Sequence, residues 1–243
     1  MTRTLLAATA LLALAACNKN TTNSTAPTNG TAAAAVPAPA GQDWTQTVSA
    51  TPEGGYVMGN PGAAIKLVEY GSLTCPHCAE FKDKAAEPLR NYVRSGKVSW
   101  EFRNYVRDPM DVTATLLARC NGPATFFPMA DALYDDQKNW FAKLQGPEGA
   151  QLKGMEKLPP QQQFDTLARF LGLYQFVGQR GLPEPAAKAC LNDKAKTDQL
   201  VKMVDQANAM GLQGTPTFII NGKMVPNVAT WEGLEPALKA AGA

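Results

Sequence analysis

The chain has 243 residues, 45% apolar and 18% charged, enough to bury one sizeable core within a single domain. Its 23 basic and 21 acidic side chains leave a formal charge of +2, too weak a field to draw in nucleic acid or a polyanionic substrate. His77 is the one histidine, which excludes a His-rich metal site and any Ser-His-Asp triad that does not use it.

The first element in chain order is a targeting segment. Arg3 supplies a positive start, and Leu5 to Ala16 form an apolar run too short to span a bilayer, so residues 1–16 read as a secretory signal peptide. Leu14-Ala15-Ala16-Cys17 resembles the lipobox of bacterial lipoproteins, where cleavage leaves an acylated cysteine at the new N-terminus. Cys17 is therefore the expected lipidation site and membrane anchor; the alternative is an ordinary signal peptide with an incidental cysteine. Asn18 to Gly41 is rich in Thr, Asn, Ala and Pro and nearly uncharged, and residues 17–43 read as the lipidated cysteine and a disordered linker. From Asp43 and Trp44 the composition turns globular, although the segment before Tyr56 still reads as too disordered to build a dimerisation domain.

Ala64 to Tyr70 is an apolar, β-branched run, expected as a buried strand. Gly71 to Thr74 leads into Cys75-Pro76-His77-Cys78, and Ala79 to Tyr92 follows as a helix that Pro88 is expected to kink. From Lys97 to Tyr105, Val98, Trp100 and Phe102 alternate with Ser99, Glu101 and Arg103, the period of a second strand. Helices are predicted over 111–120, 123–141, 160–178 and 193–210. Thr217 to Ile220 and Lys223 to Val225 flank Asn221-Gly222, a type I′ hairpin signal, and a closing helix runs over 230–241 with Thr230 as its N-cap. The fold class is α/β.

A C-x-x-C at a strand-to-helix junction within β-α-β is a redox signal, since a zinc site would need further ligands that are missing nearby. The unpaired N–H groups and positive dipole end of the helix favour thiolate over thiol. Pro76 suits the first turn because it has no N–H to leave unpaired. His77 can add a donor or positive charge beside the thiolate. Cys75, at the helix end, is the expected nucleophile, and Cys78, one turn in, resolves or re-forms the disulfide. The five cysteines close as a count if Cys17 carries lipid, with Cys120 and Cys190 left as a second disulfide or as two inert buried thiols.

The run from Leu67 to Cys78, with Pro-His between the cysteines, resembles the active-site region of DsbA-like thioredoxin-fold proteins. Gly214-Thr215-Pro216-Thr217-Phe218 with Asn221-Gly222-Lys223 is similar to that family's cis-proline loop and following hairpin. The resemblance covers about Met58 to Ala243. It implies a thioredoxin-like domain over 44–108 and 211–243 with a helical insertion over 109–210. It implies that Pro216 is cis and packs on the disulfide, that Thr215 before it helps set substrate preference, and that Glu69 is a buried acid assisting proton transfer at the inner cysteine. It also favours a Cys120–Cys190 bridge. The expected activity is thiol–disulfide exchange in the cell envelope, donating disulfides to exported proteins, with a DsbB-like membrane oxidase as the reoxidising partner. Beyond the redox-active pair no cofactor and no metal is expected. Isomerase and reductase roles on the same fold stay open, as does a copper-handling module using Cys75 and Cys78.

Overall fold

A computed structural model describes residues 33–243, so the expected signal peptide and Cys17 lie outside the described residues. Two short strands that the sequence reading omits come first. β1 (Val48–Ala50) and β2 (Tyr56–Met58) form an antiparallel hairpin, so the segment before Tyr56 is structured. β3 (Ile65–Gly71) places Ile65, Leu67 and Glu69 on one face and Lys66, Val68 and Tyr70 on the other, as a period of two requires. α1 (Pro76–Arg94) buries Cys78, Phe81, Ala85, Leu89 and Val93 in one stripe and continues past Pro88, which lies inside it.

β4 (Val98–Asn104) lies parallel to β3, with Ile65 opposite Val98 and Gly71 opposite Asn104. The helical block follows as α2 (Pro109–Ala118), α3 (Pro123–Gln145), α4 (Pro160–Leu171), α5 (Leu173–Gly178) and α6 (Glu184–Leu191). The helix expected over 160–178 is two helices, because Gly172 at φ 77° ends α4 in a left-handed cap. Cys120, just past α2, is disulfide-bonded to Cys190 in α6, with Cα atoms 5.7 Å apart.

α7 (Lys194–Ala209) packs both ways: Leu200 and Met203 join the core shared with the helical block, and Ala207, with Leu212, packs against Tyr70 and Ile219 on the sheet face away from α1. β5 (Thr217–Ile220) and β6 (Lys223–Val225) turn through Asn221 at φ 49° and Gly222 at φ 78°, the left-handed pair a type I′ hairpin needs. α8 (Trp231–Ala240) starts at Thr230, whose hydroxyl accepts from Gly233 N at 3.3 Å.

The sheet order is β1-β2-β4-β3-β5-β6, with all neighbours antiparallel except β3 and β4. One continuous core joins α1, α8 and the inner sheet face to the helical block, through contacts such as Trp100 against Phe127 at 4.9 Å between ring centroids. The expected linker is laid on this body from residue 33 onward. Ala33 N donates to Gly242 O at 2.7 Å and Val36 N to Ser95 O at 3.0 Å, while Trp44 Nε1 donates to Val36 O at 2.7 Å.

Candidate active site

Gly71, the last residue of β3, leaves room for the Phe102 side chain of the neighbouring strand. A Cβ there would sit 2.5 Å from the Phe102 ring. The chain then turns through buried Ser72, Leu73 and Thr74 to Cys75, the N-cap of α1, with Pro76 as its first helical residue. Three groups from outside the motif hold that turn. Asp111 Oδ1 accepts from Leu73 N at 3.0 Å and its Oδ2 from Ser72 Oγ at 2.6 Å. Gln137 Nε2 donates to Leu73 O at 2.9 Å and to Cys75 O at 3.2 Å. Tyr134 donates its hydroxyl to Ser72 O at 3.2 Å.

Cys75 and Cys78 are both thiols, 3% and 0% exposed. Cys75 Sγ donates to Thr215 O at 3.2 Å, and the Thr215–Pro216 peptide bond is cis, so the far loop closes directly over the nucleophile. The Thr215 hydroxyl is buried with no hydrogen-bond partner among the described residues. The two thiols are driven apart in acidity. Hydrogen bonding from the Cys78 side chain, reinforced by the Cys78 backbone and the Arg107 charge, outweighs burial and brings Cys75 down to about 5. Burial first, and the neighbouring Cys75 second, push Cys78 well above the usual thiol range.

Glu69 lies on the same sheet face as Leu67 and is 2% exposed. Burial raises its carboxyl to about 8, opposed by a 3.0 Å hydrogen bond from Trp100 Nε1 and assisted by the charge of Asp131. The Glu69 charge in turn acts on Cys78, which couples the two titrations.

The His77 side chain is 73% exposed, and its Nδ1 stands 3.3 Å from Glu80 Oε2. Pro76 is exposed beside it at the rim. The Cys120–Cys190 bridge joins α2 to α6. Sequence reasoning passes over Trp100, Arg107, Asp111 and Gln137. Asp108-Pro109 with Asp111 reads as an ordinary helix start, and nothing local says that its carboxylate reaches back to residues 72 and 73. Among the described residues no group of three or more His, Cys, Asp or Glu side chains converges on a metal position, and no helix is long and apolar enough to cross a membrane.

A family model described as Thioredoxin matches residues 51–240. The crystal structure of a protein-disulfide isomerase from Novosphingobium aromaticivorans is 32% identical, covers 76% of this chain and 95% of its own, and superposes with a TM-score of 0.72. Wolbachia pipientis alpha-DsbA1, 22% identical over 76% of this chain and 90% of its own with a TM-score of 0.62, shares the fold. A Rickettsia felis protein named "Putative protein-disulfide oxidoreductase" is 27% identical over 175 residues, 70% of this chain but 54% of its own. The chain thus spans about half the length of that curated relative.

Proposed function

The chain belongs to the thioredoxin family and carries its DsbA-like fold, and from that membership we propose that it is a thiol–disulfide oxidoreductase whose Cys75–Cys78 disulfide is donated to reduced exported proteins. The observation that carries this reading is the split between the two thiols, one brought down to about 5 and the other pushed far up, under the cis-Pro216 loop. A client thiolate attacks Cys75 Sγ, forming the client–Cys75 disulfide and breaking the Cys75–Cys78 bond. The electron pair leaves on Cys78, which takes a proton from Glu69, a group mostly protonated at neutral pH because its carboxyl sits near 8. A second client thiolate then attacks the client sulfur of the mixed disulfide and expels Cys75 as a thiolate. An acidic thiol is the better leaving group, so this step favours release of the oxidised client. Two electrons have passed from client to enzyme.

Stabilising the Cys75 thiolate stabilises the reduced enzyme, which makes its disulfide the stronger oxidant. That is why the oxidase reading is preferred here over reductase or isomerase. Extended client chains would lie against the loop at Thr215 and Pro216. A lipid on Cys17 would hold the enzyme at a membrane facing the cell envelope, and a DsbB-like membrane oxidase would restore the disulfide. The test is to equilibrate the protein with glutathione buffers and measure the reduction potential of the pair. A value near that of DsbA, roughly −120 mV, supports the donor reading, and one near that of thioredoxin, about −270 mV, replaces it with a reductase.

A further inference from the structure

Arg107 belongs to neither the C-x-x-C helix nor the cis-proline loop. It sits in the connection between β4 and α2, and its backbone N donates to Asp111 Oδ2 at 3.1 Å. From there the guanidinium reaches into the active-site turn, Nε donating to Ser72 Oγ at 3.0 Å and Nη2 to Thr74 Oγ1 at 2.8 Å. Ser72 and Leu73 are bound to that same Asp111. One buried carboxylate therefore fixes both the turn that carries Cys75 and the backbone that carries Arg107. Two hydrogen bonds from one planar fork leave the guanidinium little freedom to swing away.

Three facts make this more than a structural clamp. Arg107 bonds the hydroxyl of the residue immediately before the nucleophile. Among the described residues its guanidinium bonds two neutral hydroxyls, and the Asp111 carboxylate stands one hydroxyl away, across Ser72. The charged groups around it are the Asp111 carboxylate, which is engaged by Ser72, Leu73 and the Arg107 backbone, and Asp108, which caps α2. We propose that Arg107 is the fixed positive charge of the thiolate site, a positioning residue of the exchange reaction that stabilises ionised Cys75 and so raises the oxidising strength of the Cys75–Cys78 disulfide. Its charge acts on Cys75 in the stabilising direction, alongside the hydrogen bonding from Cys78. This deepens the proposed exchange function and rests on it.

The test compares wild type, Arg107→Gln and Arg107→Lys by two readouts, the thiolate absorbance of reduced protein against pH and the exchange equilibrium with glutathione. Because Arg107 is exposed and its charge screened by solvent, the expected effect of Arg107→Gln is modest. Its thiolate titration moves up by about half to one pH unit, and the glutathione equilibrium shifts about three- to tenfold towards the disulfide, a tenfold shift being about 30 mV. Arg107→Lys, which keeps the charge but loses the planar fork, shifts in the same direction by clearly less than Gln. Thermal unfolding of each variant shows whether it folds. If Arg107→Gln folds poorly, the Lys variant and the salt dependence of the wild-type titration still decide the matter. A wild-type titration unmoved between about 0.02 and 1 M salt, or a Lys variant that shifts as far as Gln, overturns the assignment of charge. An unshifted Gln variant overturns the proposal outright. If the wild-type pair itself does not exchange with glutathione, it is the function reading that falls, and the two failures are told apart within one experiment.

Discussion

Replacing Glu69 by glutamine changes how stability depends on pH, and the direction follows from burial. The native carboxyl titrates near 8 against an ordinary value of 4.5, with burial as the main cause. Between those two values the native state keeps a proton that the unfolded chain has released, so the native state binds more protons and stability falls as pH rises. The contribution is fully present below 4.5 and lost by the time pH passes 8. A shift of this size corresponds to about 5 kcal/mol over the whole range, of which about 4 kcal/mol falls between pH 5 and 9. Glu69 is 2% exposed, so solvent screening does not dilute the effect. Glutamine is close in shape to the protonated acid and still offers Trp100 an acceptor. Glu69→Gln is thus expected to match wild type at pH 5 and to exceed it by several kcal/mol at pH 9. Asp111, raised to about 7 by burial, titrates in the same window, but it does so in both proteins and cancels in the comparison. The assay is urea denaturation of the dithiol forms at pH 5, 7 and 9, followed by tryptophan fluorescence. A stability difference that stays constant across that range would refute the assignment of a neutral, buried acid.

Four further outcomes are expected. Cys75→Ser abolishes exchange with glutathione, whereas Cys78→Ser leaves the nucleophile and accumulates a mixed disulfide visible by mass spectrometry; continued turnover by the first variant would contradict the roles given. Alkylation of reduced protein by iodoacetamide is flat above pH 6 and half-maximal near pH 5, the point to which hydrogen bonding from Cys78 lowers the Cys75 thiol, and a midpoint near the ordinary value of about 8.5 would count against it. Cys120→Ala with Cys190→Ala removes a link across 70 residues and costs about 4 kcal/mol in chain-entropy terms, read as a lower guanidinium midpoint. Gln137→Leu leaves the Leu73 carbonyl unpaired in a buried place, while Cys75 O keeps its bond from Ala79 N, with an expected cost of about 2 kcal/mol and slower exchange; an unchanged rate would mean that α3 does not steady the turn.

Much of this is legible in the residues because local rules and the fold agree. The alternation of Val98, Trp100 and Phe102 against Ser99, Glu101 and Arg103 is the two-faced strand it reads as, and Asn221-Gly222 is the left-handed pair that the hairpin demands. The cysteines find their place for the same reason, since a helix end is a local feature. What stays hidden is whatever depends on distant pairing. β1 and β2 are three residues each, too short to show a period, and β2 forms against a strand some forty positions later, with Tyr56 opposite Phe102. Gly172 divides a continuous helical pattern through its backbone sign alone. The partners that tune the site, Trp100, Arg107, Asp111 and Gln137, come from four elements or connections and carry no shared spacing.

The contacts of residues 33–44 set where a leash would pull. They fasten to Ser95 at the C-terminal end of α1 and to Gly242, whereas Cys75 caps the other end of that 19-residue helix, about 28 Å away. Whatever holds the chain upstream of residue 33 therefore holds the molecule by its blunt end.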